Sequence, residues 1–171
     1  MSLTERSLAL TELARLGFTE LENAQRALDE LSELVGAPPG ELATHAVIAA
    51  DADAALNALV RVARRDAAPV RTVLASNERA RPVWALLGAS SGFEDFYARQ
   101  PKELVHLAAE GDTPPTGDEL REQLLDAVGV EDGFSASGDE SAWVALRVRY
   151  RRMLARIAVY DLLADDAAEV L

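Results

Sequence analysis

Apolar positions in this chain recur every three or four residues and almost never alternate, the spacing of helices that each bury one stripe. The pattern is longest over 138–163. There Trp143, Leu146, Tyr150, Met153, Ile157, Tyr160 and Ala164 form a continuous stripe, and Val144, Val148, Ala155, Val159 and Leu162 form a smaller one opposite. Five arginines, Arg147, Arg149, Arg151, Arg152 and Arg156, occupy the seams. Arg147 with Arg151, and Arg152 with Arg156, stand four residues apart, where like charges repel by roughly a few tenths of a kcal/mol. Carboxylates on neighbouring helices or on another domain are expected to offset them. A helix apolar front and back belongs inside a bundle, with neighbours on both sides.

Boundary residues divide the rest of the chain into further helices. Residues 4–16 read as a short helix closed by Gly17. Thr19 and Glu22 have capping-box spacing and open a helix to Val35, stopped by Gly36. After the turn at 37–40, residues 41–50 read as helical. Asp51 is placed to cap a helix through Arg65, with Ala55, Leu56, Leu59, Val60 and Val62 as core candidates. Pro69 suits the first turn of a helix over 70–76, and Pro82 lies early in the next, 78–87, which Gly88 is expected to close. Ser91 with Glu94 predicts a capped helix to Gln100, Pro101 a helical turn through Leu107, and Thr116 with Glu119 a capped helix to Val128. Gly and Pro place a linker at 111–115 and a loop at 129–137, with Ser137 and Glu140 capping the arginine-rich helix. Together these elements predict a single all-α domain over 1–171, an irregular bundle of roughly seven to nine helices.

Composition narrows the function classes. The 171 residues are 49% hydrophobic but only 5% aromatic, dominated by the helix formers Ala and Leu, and long enough to bury a core. A net charge of -12 argues against sequence-independent nucleic-acid binding, which needs surplus Lys and Arg. The absence of cysteine excludes disulfides, thiolate zinc sites and cysteine nucleophiles. No signal-peptide layout and no apolar run of bilayer length are present, so a cytoplasmic protein without a membrane partner is expected.

Local patterns that suggest chemistry have plainer structural explanations. Gly88-Ala89-Ser90-Ser91-Gly92 matches the G-x-S-x-G of a nucleophile elbow, but that motif needs a strand before the serine, and a helix precedes it here. Gly88 as a terminator and Ser90 or Ser91 as a cap fit better. Asp51 and Asp53 have the spacing of a metal-binding carboxylate pair, without a third acid or a phosphate-binding glycine loop nearby. As an N-cap and an acidic first turn they suit the helix dipole. His45 and His106 are isolated, so a metal site would need carboxylates from elsewhere. The acidic groups at 112–119, 131–140 and 161–169 read as solvated loops and helix starts. No residue is thereby assigned a catalytic, cofactor-binding or metal-binding role.

Three stretches carry a family resemblance: DADAALNALVRV at 51–62, LLGASSGFEDFYARQP at 86–101 and LRVRYRRMLARIAVYDL at 146–162. In order and spacing they resemble the N-terminal region of glutamine synthetase adenylyltransferase, the bifunctional adenylylating and adenylyl-removing enzyme of bacteria. Tyr160 departs from an arginine common in the family, and Phe96 and Gln100 stand where it often has His or other polar groups. The family's nucleotidyltransferase core carries a Gly-rich loop followed by Asp-x-Asp, and that combination has no match in this chain. The resemblance implies a parent enzyme that uses Mg²⁺ and ATP to place AMP on a tyrosine of glutamine synthetase. A second core in the N-terminal half removes the AMP by phosphorolysis. It further implies that this chain is a non-catalytic helical segment without a cofactor of its own. Its expected partners are the downstream nucleotidyltransferase domain and, for the parent, glutamine synthetase and a PII-type regulator. The residues alone leave a second reading, a stand-alone acidic helical interaction module.

Overall fold

The computed structural model describes residues 8–110, 114–131, 134–135 and 140–168. Among them lie ten α-helices, one 3-10 turn and a ribbon of two short strands, so the protein is all-α as expected. The chain divides into two compact units, Met1–Ala109 and Glu110–Leu171.

In the first unit, α1 (Leu10–Arg15), α2 (Leu21–Val35), α3 (Pro39–Thr44) and the 3-10 turn (His45–Ile48) lead into α4 (Ala52–Arg65). After it come α5 (Ala67–Leu74), α6 (Asn77–Ala89), α7 (Ser91–Arg99) and α8 (Glu103–Glu110). Helix α4 is the axis, packed against α2, α5, α6, α7 and the 3-10 turn. All five of its expected core residues are buried, and so are Ala52, Ala58 and Ala63, whose small side chains let neighbours approach on several sides. Trp84 of α6 and Tyr97 of α7 are the largest fully buried side chains. Tyr97 meets Phe96 edge-on at 5.0 Å.

Several boundaries form as the sequence indicates. Gly36 takes the left-handed conformation at φ +73°, and its N–H donates to the Ser32 carbonyl at 2.8 Å. The Asp51 carboxylate accepts the Ala54 N–H at 2.8 Å. Other boundaries resolve differently. Thr19 and Glu22 do not make a capping box. Instead the Asp53 carboxylate, reaching from α4, accepts the N–H of Thr19 at 2.7 Å, the Thr19 hydroxyl at 2.8 Å and the N–H of Glu20 at 3.2 Å. The start of α2 is thus capped by a residue distant in sequence. The expected helix over 41–50 begins earlier, at Pro39, and tightens to the 3-10 turn after Thr44. Gly88 does not end α6, which continues to Ala89. A Cβ at Gly88 would stand 2.8 Å from the Ala49 Cβ and 2.9 Å from the Asp51 carbonyl oxygen, so close packing, not a turn, requires glycine there. Ser90, not Ser91, is the N-cap of α7, and Glu94 turns away to pair with Arg61.

The second unit contains α9 (Gly117–Ala127), strands β1 (Val130–Glu131) and β2 (Phe134–Ser135), and α10 (Glu140–Ala168). Thr116 and Glu119 form the expected capping box, with the Thr116 N–H donating to the Glu119 carboxylate at 2.8 Å. Helix α9 packs on α10. Of the linker placed at 111–115, residues 111–113 lie outside the described residues, and Pro114 and Pro115 belong to no helix or strand. The segment read as a loop at 129–137 contains the antiparallel ribbon, with Val130 opposite Ser135 and Glu131 opposite Phe134. Ser137, the expected cap of α10, lies outside the described residues.

Candidate functional site

The local patterns do not assemble into a catalytic arrangement among the described residues. Gly88 lies within α6 and Ser90 is an extended helix cap, so no strand-turn-helix elbow forms around the G-x-S-x-G match. Asp51 and Asp53 serve different helices, one capping α4 and the other capping α2. His45 is half-buried, and loss of hydration holds its imidazole below the ordinary range, partly opposed by a hydrogen bond to Asn77 and the charge of Glu41. His106 is exposed. No group of three or more His, Asp or Glu side chains able to hold a metal ion occurs among the described residues. No helix among them is long and apolar enough to cross a membrane.

What remains is α10. Its two apolar stripes are treated unequally. Met153, Ala155 and Val159 are buried near the middle of the helix, drawing on both stripes. Trp143 is 60% exposed, Tyr150 52%, Ile157 40% and Tyr160 41%, so most of the longer stripe faces solvent. Val144 and Leu162 of the shorter stripe are exposed at either end. Among the described residues, the shorter stripe is covered at its centre, whereas the longer stripe is covered only at Met153 and partly at Leu146.

The arginines divide in the same way. Arg149 reaches Asp126 of α9 at 3.9 Å. Arg152 and Arg156 are half-buried and engaged. Arg156 also lies near enough to Glu119 to favour its charged form, which the N–H and hydroxyl of Thr116 already hold below the usual carboxylate range. Arg147 and Arg151 are exposed and form no ion pair among the described residues. Trp, Tyr and Arg standing together on an open helix face have the composition of an interaction hot spot, and scattered single apolar residues do not.

No protein-family profile matches the chain, and no solved structure gives a significant match. Curated sequences do match. A protein of Leifsonia xyli is 44% identical over 164 residues, 96% of this chain, and is named bifunctional glutamine synthetase adenylyltransferase/adenylyl-removing enzyme. Proteins of the same name from Cutibacterium acnes and Streptomyces avermitilis are 32% and 34% identical over 97% and 96% of the chain. The chain is homologous to one segment of that enzyme. It spans only 16–18% of the length of these relatives. The stretches that resemble the adenylyltransferase family fall on its helices: 51–62 is most of α4, 86–101 joins α6 to α7, and 146–162 is the central part of α10. The first stretch holds the buried axis of one unit, and the last supplies the open face just described.

Proposed function

We propose that the chain is a non-catalytic helical segment of a glutamine synthetase adenylyltransferase, from its N-terminal region, that braces the nucleotidyltransferase core following it. The carrying observation is the open face of α10. An acidic chain homologous to about a sixth of a large enzyme presents Trp143, Tyr150 and Ile157 beside two arginines that form no ion pair among the described residues. That face fits a partner with an apolar surface rimmed by carboxylates, and the remainder of the enzyme is the partner this reading names. In the parent, AMP passes from ATP to glutamine synthetase and is removed again by phosphorolysis, under a PII-type regulator. On this reading Mg²⁺ and ATP belong to that remainder, where the nucleotidyltransferase core lies.

The test is a reconstitution. The purified chain, incubated with ATP, Mg²⁺ and glutamine synthetase, transfers no AMP, and with adenylylated glutamine synthetase and phosphate it releases none. Added to the Leifsonia xyli enzyme deleted of its matching segment, it restores solubility or adenylyl-removing activity. Turnover by the chain alone contradicts the reading. Failure to associate with the deleted enzyme favours the stand-alone module.

A further inference from the structure

The open face of α10 has a period of its own. Trp143, Arg147, Tyr150, Leu154, Ile157, Asp161 and Ala164 follow one another at alternating spacings of four and three residues, and all are exposed except the half-buried Leu154. Helix α9 lies on another side. Arg149, which meets Asp126 of α9, points about 100° around the helix from Tyr150, so the strip stays open. It runs about 32 Å along α10.

A repeat of 3.5 residues does not run straight along a helix of 3.6. It drifts by about 20° per heptad, so over three heptads the strip winds about 60° around α10. A flat sheet face leaves one end of such a strip uncovered. A second helix crossing at about 20° follows it from end to end, as in the seam of a coiled coil. Charge then sets the alignment. Tyr150, Leu154 and Ile157 make an apolar centre, with Arg147 on its N-terminal side and Asp161 on its C-terminal side, two heptads or about 21 Å apart. Neither forms an ion pair among the described residues. Opposite charges at a fixed separation in an apolar seam select the register of the helix that covers them, because a slipped helix buries both without partners. A second copy of this chain fits poorly, since it brings a further net charge of -12.

We propose that one amphipathic helix from the remainder of the enzyme packs lengthwise on this strip, with a carboxylate opposite Arg147 and a basic side chain opposite Asp161. The proposal rests on the reading of the chain as part of that enzyme, and adds what kind of element meets α10. Two designed helical peptides of about three heptads, each with a leucine seam, test it. One carries glutamate and, two heptads later, lysine; the other carries them in reverse order. With Trp143 emission as the readout, the peptide whose charges match binds about tenfold more tightly than the other, and Arg147→Glu removes the preference. Equal affinity for the two peptides overturns the proposal, as does a preference that survives Arg147→Glu or a dimer of the chain alone that protects Trp143. A second arm places a photoreactive benzophenone in turn at positions 143, 150 and 157 and adds the segment-deleted Leifsonia xyli enzyme. Cross-links three, four or seven residues apart within one segment of the enzyme are expected. Cross-links spread over strands and loops overturn the helical partner and leave the enzyme reading standing. An absent complex contradicts the enzyme reading, and the peptide preference then decides the helical partner by itself.

Discussion

Helices α4 and α10 are both arginine-bearing and both apolar on more than one side, yet they end in opposite situations. Around α4 every apolar position the sequence marks as core is covered, and Arg61 and Arg64 each have a carboxylate. Along α10, Trp143, Tyr150 and Ile157 stay open, and Arg147 and Arg151 are unpaired among the described residues. An apolar stripe therefore says that a helix needs a neighbour, and the charges beside it say whether that neighbour is present. In α4 both needs are met within the chain, and on one face of α10 neither is.

The sharpest way to break this contrast is to truncate one apolar side chain in each helix. Leu59→Ala removes a fully buried group from α4 and is expected to cost about 2–5 kcal/mol of unfolding free energy. Tyr150→Ser on the open face of α10 should move it by no more than about 0.5 kcal/mol. Denaturant unfolding measures both, and equal losses would end the distinction. A smaller effect is expected at Asp53, whose carboxylate accepts three hydrogen bonds at the start of α2. Asp53→Ala should cost about 1–3 kcal/mol, and the loss should raise hydrogen exchange at Thr19 and Glu20. Gly88→Ala should cost a similar amount, about 1–3 kcal/mol, because the added methyl meets Ala49 and Asp51 at under 3 Å.

The smallest effect is in pH. Burial holds the folded-state pKa of His45 below its ordinary 6.5, so below that value the unfolded chain binds a proton that the folded chain resists. Stability from this group is fully present above 6.5 and is lost as pH falls through the lower, folded-state value. His45→Gln should flatten the slope of thermal stability in that window. An unchanged slope would assign it to other groups.

Much of the architecture was legible in local sequence. The core of α4, the glycine cap at Gly36 and the capping box at Thr116 rest on residues within one turn of each other, and they formed as read. The misread boundaries share one cause. Thr19–Glu22 and Ser91–Glu94 have the right spacing, but Asp53 reaches Thr19 from another helix and Arg61 takes Glu94, both across more than thirty residues of chain. Gly88 carries the signal of a terminator because that local signal is the same whether a glycine ends a helix or admits a neighbouring backbone. The periodicity of α10 showed both stripes. It carried no information on which would be covered, since that depends on what lies opposite.

The central claim is that the open face of α10 is a docking surface, and the protein carries its own probe of it. Of the two tryptophans, Trp84 is fully buried and Trp143 is 60% exposed, so acrylamide quenching reports on Trp143 against an internal reference. In the isolated chain Trp143 should quench freely, and addition of the segment-deleted Leifsonia xyli enzyme should protect it and shift its emission to the blue. Trp143 emission that remains red and quenchable in a complex still formed at saturating partner would contradict the account.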